Sequence, residues 1–276
     1  MNESMTESPI SAEDRELLEQ MEVEACEIAK WQAELDNKKK GYRPEWDTID
    51  CPICKNRMYI TVANGPELVS VDCSCRSKRI ALRAALDSDV KPDLSLEQWK
   101  TTLPWQKSVA EKAKEYIEQN PPKWFVMLGQ SGAGKTMVCS MIVNALAARG
   151  IVTKKVLWED LLQELKNRLN EPERYKALMN TGKYEQVLFI DDFFKYYPSE
   201  WALSVAFQII NFRSRNEKKT LISSEKFYPE LREIDEAIAG RIYEKADPYI
   251  LQIQKDEKAS CSRGYQICLF FELNKR

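Results

Sequence analysis

The sequence predicts an α/β chain: a three-layer αβα domain on a parallel sheet, preceded by a small zinc-binding module and an N-terminal helix. Three observations carry this. Short apolar runs alternate with helical patterns from about residue 99 onward. One of those runs leads straight into a glycine-rich loop. Four of the eight cysteines fall between residues 51 and 75. The regions expected are 1–50, helical; 51–98, the cysteine module and a linker; and 99–276, the α/β domain.

In the first region, Leu17, Leu18, Met21, Ala25, Ile28, Ala29 and Leu35 fall on one side of a helix that ends at Gly41. Such a helix serves equally to pack on its own domain or to bind a partner. Next come Cys51-Pro52-Ile53-Cys54 and Cys73-Ser74-Cys75, four thiolates on two tight turns, enough for a closed tetrahedral zinc site. Pro52 and Gly65-Pro66 favour those turns. So short a segment has little core, and bound metal would supply its folding energy. The alternatives are four unrelated thiols, or a [4Fe–4S] cluster, whose usual spacing is absent. Cys26, Cys139, Cys261 and Cys268 are isolated and read as core or surface residues. The chain has no histidine, which excludes Ser-His-Asp and Cys-His catalysis. Lys91-Pro92-Asp93 marks the boundary before a leading helix from Trp99 to Gln119, interrupted at Pro104.

The run Gly129-Gln130-Ser131-Gly132-Ala133-Gly134-Lys135-Thr136 matches the phosphate-binding loop G-x-x-x-x-G-K-[ST]. Glycines let the backbone turn tightly and aim N–H groups at phosphate oxygens. Trp124–Leu128 reads as the strand before it. Val138, Met141, Ile142, Ala145 and Leu146 read as the helix after it, stopped at Gly150. A nucleoside triphosphate is the ligand implied, touched by the loop residues and Met137. Lys135 would reach the β- and γ-phosphates and Thr136 would hold Mg²⁺.

Downstream, the apolar strand Gln186–Ile190 ends in Asp191-Asp192. Asp191 is the expected Mg²⁺ ligand and Asp192 the group that orients or activates water. Lys155–Trp158 and the stretch Asp160–Leu169 supply a strand and a helix between the two motifs. Ser199–Arg213 reads as a helix, Thr220–Ser224 as a strand and Pro229–Ala239 as a helix. If strand Thr220–Ser224 lies between the two motif strands, its polar end, with Ser224, sits beside the γ-phosphate. Gly240-Arg241-Ile242 then puts an arginine just past a helix, where it reaches a neighbour's γ-phosphate in a ring or filament; it reads equally as a surface arginine.

A formal net charge of −2 confines any nucleic-acid surface to local patches. Arg76, Lys78, Arg79 and Arg83 form one candidate, and Arg213, Arg215, Lys218 and Lys219 another, although charge runs are usually solvated faces. No apolar stretch is long enough for a membrane span and Met1–Glu13 is polar and acidic, so no membrane association and a cytoplasmic location are expected.

Residues 99–272 resemble the AAA+ ATPase of the DnaC/DnaI/IstB group through Gly129–Thr136, Leu188–Asp192, Thr220–Ser224 and Glu236–Ile242. Cys51–Cys54 with Cys73-Ser74-Cys75-Arg76 is similar to the cysteine module of its loader-type and phage-borne members. The resemblance implies a P-loop AAA+ domain using ATP, Mg²⁺ and, in the module, Zn²⁺. It implies self-association through the ATP sites, with Arg241 acting on the neighbouring subunit. The implied function is an ATP-dependent loader that grips the hexameric replicative DNA helicase and delivers it to single-stranded DNA for replication initiation. Arg263 matches the basic residue such proteins carry before a last strand (Tyr265–Phe271), a second sensor. The sequence departs from the group at Glu225, where Asn is common, and at Asp192, where many AAA+ proteins have Glu. Both imply slow hydrolysis, stimulated by DNA or a partner. The rival readings are an IstB-type transposition helper, against which the cysteine module speaks, and a non-hydrolysing ATP-dependent adaptor.

Overall fold

The computed structural model describes residues 11–255 and 265–268. The chain divides into two compact units, residues 1–76 and 77–276.

The first unit opens with α1 (Ala12–Lys38), capped by the Ser11 hydroxyl, which accepts the Asp14 N–H at 3.1 Å. Ala29 and Ala33 are buried, but Leu17, Leu18, Met21, Ile28 and Trp31 are exposed, so the stripe read from the sequence is mostly uncovered. A hairpin follows, β1 (Tyr59–Asn64) and β2 (Glu67–Asp72), antiparallel around Gly65 at φ +62°. Asn37 fastens the end of α1 to the hairpin: its amide donates to the Thr61 carbonyl (2.8 Å) and accepts the Thr61 N–H (2.9 Å). Beside it Asp36 pairs with Arg57 at 2.8 Å. The Thr61 hydroxyl, then Lys39, draw the Asp36 carboxyl down to about 2, with Arg57 adding to the effect.

Helix α2 (Cys75–Leu86) is followed by a 3-10 turn at Leu96–Gln98 and α3 (Pro104–Gln119). The α/β core then runs β3 (Phe125–Gly129), α4 (Lys135–Ala148), β4 (Thr153–Leu157), α5 (Trp158–Asn167), α6 (Pro172–Tyr184), β5 (Val187–Asp191), α7 (Glu200–Arg215), β6 (Lys219–Ser224), α8 (Tyr228–Ile234), α9 (Glu236–Ala246), β7 (Ile250–Lys255) and β8 (Tyr265–Cys268). The strand order is β4-β5-β6-β3-β7-β8, with five parallel strands and β8 antiparallel at the edge.

The central strands are buried on both faces and therefore read as unbroken apolar runs. Their side chains alternate. Phe125, Met127, Phe189 and Leu221 pack with Val138, Ile142 and Leu146 of α4 and with Tyr116 of α3. Val126, Leu128, Leu188, Ile190 and Ile222 pack on the other face with Trp158, Leu165, Ile209 and Ile242. These two cores are the outer seams of the expected three layers. β6 lies between β5 and β3, the strands carrying the two motifs, which is the condition set for its polar end.

Local expectations needed correction where a single residue outweighs periodicity. The leading helix begins at Pro104, which occupies its first turn, rather than at Trp99. An additional helix, α6, also starting on a proline, stands between the motifs. The predicted helix Pro229–Ala239 is two helices, because Asp235 turns extended and caps α9, accepting the Ile238 N–H at 2.7 Å. Arg241 therefore lies within α9, not past a helix end. Arg213, read as a phosphate contact, is wholly buried: its guanidinium donates to the carbonyls of Gly182, Lys183, Glu185 and Lys219 and to the Thr220 hydroxyl. Burial draws it down to about 9, opposed by the charge of Glu185. Among the described residues, no helix is long and apolar enough to cross a membrane.

Candidate functional site

The glycine-rich loop connects β3 to α4, so the N–H groups opening α4 point where the strand ends. Two glycines are dictated by space as well as by dihedral. Gly129 sits at φ +123°, and a Cβ there would lie 2.0 Å from the Ile253 carbonyl oxygen. Gly134 sits at φ +79°, with the Trp99 ring 2.7 Å from where its Cβ would be. Lys135 is buried and donates to the Gln130 carbonyl at 2.9 Å. Burial pulls its ammonium below the ordinary lysine value, while Glu225, Asp192 and Asp191 oppose that.

Asp191, at the tip of β5, is buried at the centre of a hydroxyl cluster. Thr136 donates to its Oδ1 at 2.7 Å and Ser223 donates to the same oxygen at 2.5 Å. Lys155 of β4 stands 3.2 Å from Oδ2. Because Thr136 spends its proton on Asp191, its lone pairs stay available, and hydroxyl plus carboxylate form the hard oxygen set that Mg²⁺ takes. Asp192 follows at φ +55°, a left-handed backbone that Asp adopts more readily than most side chains. Its N–H donates to the Ser223 hydroxyl at 3.0 Å, and its Oδ2 meets the Lys195 ammonium at 2.8 Å. The turn is stitched to β6 by Phe193 N–H donating to the Ser223 carbonyl (2.8 Å) and Ser224 donating to the Phe193 carbonyl (2.6 Å).

The structure thus brings Lys135, Thr136, Asp191 and Asp192 to one end of the sheet. Ser224 points to Phe193 on the opposite face from Asp191. Arg241 is elsewhere, on α9: its Nε donates to Asn211 Oδ1 at 3.0 Å, Nη1 donates to the Ala237 carbonyl at 2.9 Å, and its guanidinium lies over the Phe207 ring. Arg263 lies outside the described residues. Sequence reasoning assigned no role to Ser223 or Lys155, yet strand parity signals both: Phe189 and Asp191 share one face of β5, as Leu221 and Ser223 share that face of β6, and Lys155 of β4 pairs with Phe189. It also missed a cavity of about 450 Å³ beside the loop, lined by Trp99, Leu103, Trp105, Gly132, Gly134 and Met137.

In the first unit, Cys51, Cys54, Cys73 and Cys75 are all buried, with sulfurs within 4.8 Å of one another. Cys51 and Cys73 Sγ are 3.7 Å apart, and Cys54 and Cys75 Sγ 3.4 Å. Four Zn–S bonds of about 2.3 Å arranged tetrahedrally require sulfur separations of about 3.8 Å. The cluster fits zinc. Burial pushes the Cys51 thiol up, but the N–H groups of Cys54 and Ile53 and the neighbouring thiols outweigh it and bring it to about 7. Burial, with the surrounding thiols, pushes Cys75 up.

Comparison with known proteins agrees with this geometry. The chain is 29% identical over 246 residues to the phage-like element PBSX protein XkdC of Bacillus subtilis (strain 168), covering 80% of this chain and 91% of that protein. The fold is shared with the DnaC helicase loader (TM-score 0.51, 22% identity, 55% of this chain and 93% of that one). It is shared also with AMPPCP-bound DnaA from Aquifex aeolicus (TM-score 0.53, 21% identity, 62% of this chain and about half, 53%, of that one). The α/β unit therefore shares its fold with these proteins. The model of the Novel STAND NTPase 3 family, nSTAND3, matches residues 105–259, more than half of the sequence, and the chain belongs to that family.

Proposed function

We propose that this chain is an ATP-dependent helicase loader, which binds the hexameric replicative DNA helicase and delivers it to single-stranded DNA at replication initiation. The observation that carries the reading is the bonded set Thr136–Asp191–Ser223 beside Lys135, within a fold that covers 93% of the solved chain of the DnaC helicase loader. ATP binds with its phosphates over Gly129–Thr136 and its base in the cavity lined by Trp99 and Met137. Lys135 neutralises the β- and γ-phosphates; Thr136 and Asp191 hold Mg²⁺, which supplies charge stabilisation when bound. Asp192 takes the proton of the attacking water, whose oxygen bonds to the γ-phosphorus as the bond to the bridging oxygen of ADP breaks. Arg241, and Arg263 as second sensor, contribute where subunits associate through their ATP sites. Turnover is slow and stimulated by DNA or partner.

In this reading residues 1–50 grip the helicase, 51–98 form the zinc module and linker, and 99–276 are the ATPase, all in the cytoplasm. The exposed Leu17, Met21, Ile28 and Trp31 of α1 support a gripping role. A non-hydrolysing adaptor is the second reading, favoured by the Lys195–Asp192 pair. Loading is tested on a closed single-stranded circle, which a helicase ring cannot thread. The loader reading expects helicase retained on the circle only with this chain and ATP. Equal retention without the chain contradicts it.

A further inference from the structure

Asp191 is the more enclosed of the two acids at the tip of β5, its side chain 5% exposed against 22% for Asp192, and Lys155 shares the enclosure at 14%. Lysines on β4 have an ordinary explanation, since β4 is an edge of the sheet and edge lysines discourage further strands. Strand parity separates the two that stand there. Lys154 pairs with Leu188, whereas Lys155 pairs with Phe189, on the face of β5 that carries Asp191. The Lys155 ammonium lies 5.8 Å from the centre of the Phe189 ring and 3.2 Å from Asp191 Oδ2. Thr136 and Ser223 both donate to Oδ1. Both oxygens of Asp191 are thus engaged, one by hydroxyls and the other by a charge.

That charge matters because the site is crowded with acids: the charges of Glu225, Asp192 and Asp191 all reach Lys135. A metal-free triphosphate entering here meets carboxylates that repel it, whereas a divalent cation meets carboxylates that attract it. A cation fixed against the innermost acid alters both terms in opposite directions, easing entry of the anion and reducing the pull on the metal. Enclosure makes it count, because a shielded pair is screened much less by salt than an exposed one.

We propose that Lys155 is a built-in counter-ion of Asp191, which reduces the dependence of triphosphate binding on Mg²⁺. This rests on the reading of ATP and Mg²⁺ as the ligands of the site. The pair stays closed whether or not nucleotide is bound. Lys155 acts through Asp191 and is a positioning residue.

The test is equilibrium binding of a fluorescent ATP analogue to the full chain, in EDTA and in excess Mg²⁺, for the wild type, Lys155→Gln and Lys155→Arg. Glutamine keeps a donor for Asp191 Oδ2 without the charge, and arginine keeps the charge. The counter-ion predicts that Lys155→Gln binds at least about tenfold more weakly than wild type in EDTA, but within about threefold of it in Mg²⁺. Lys155→Arg stays close to wild type in both. Removing both charges, by Lys155→Gln together with Asp191→Asn, restores the affinity in EDTA. Equal affinities of wild type and Lys155→Gln in EDTA overturn the proposal, as do equal losses in both conditions, which a merely structural role would give. A double variant as weak in EDTA as Lys155→Gln overturns it too, and so does a wild type that binds only with Mg²⁺. If wild type binds the analogue in neither condition, the ATP reading itself fails.

Discussion

Thr136 donates its hydroxyl proton to Asp191 Oδ1 across 2.7 Å, joining the helix after the phosphate loop to the strand that carries both acids. Replacing Thr136 by Val removes this bond and the oxygen ligand together, with little change of shape. A hydrogen bond to a charged group contributes about 1.5–3 kcal/mol, so Mg²⁺-dependent ATP affinity should fall at least about tenfold. Affinity measured in EDTA should change little. Titration calorimetry under both conditions checks this, and equal losses would show that Thr136 serves only the phosphates.

Asp192→Asn keeps the size of the side chain and removes its charge. ATP binding should stay within about twofold while turnover falls at least about a hundredfold, the usual range for a lost general base. Single-turnover hydrolysis with labelled ATP measures it directly.

The four-sulfur cluster predicts one bound zinc per chain. Cys54→Ser, or a strong chelator, should release the metal and open residues 1–76 to protease. Residues 77–276 should keep binding ATP. Metal analysis with limited proteolysis reads both.

Arg213→Ala should destabilise the protein by at least about 3 kcal/mol, since each buried carbonyl left without its donor costs about 1–3 kcal/mol. DNA affinity of the folded fraction should not change. A selective loss of DNA binding without loss of stability would return Arg213 to the surface role its charge run suggests.

Lys219 supplies a pH test. Burial, then the charge of Arg149, draws its ammonium from the ordinary 10.5 down to about 8. Below pH 8 folded and unfolded chains both carry the proton and the folded state bears the full burial cost. Between 8 and 10.5 only the unfolded chain holds it, so this contribution to stability rises with pH. In denaturant unfolding, wild type should gain on Lys219→Met from pH 8 to 10.5; a widening deficit contradicts the assignment.

The sheet and the nucleotide motifs were legible because their signals are local. A glycine at positive φ beside a carbonyl, or a strand buried on both faces, admits few residue types. The partners of Asp191 required counting parity along strands that touch only in the fold: Ser223 along β6, and Lys155 along β4, where it pairs with Phe189 on the face that Asp191 shares. Arg213 misled for the same reason: its charge is visible in the sequence, but the four carbonyls that hold it come from α6, the loop after it and β6. Asp235 shows the converse, one short side chain splitting what periodicity joins into a single helix.

Native mass spectrometry of this chain mixed with its host's hexameric replicative helicase, with and without ATP, reads the grip on the helicase without intermediary. A loader forms a defined complex that is lost on Lys135→Ala or on removal of residues 1–98. A folded, ATP-binding protein that forms no complex under any of these conditions would contradict that reading.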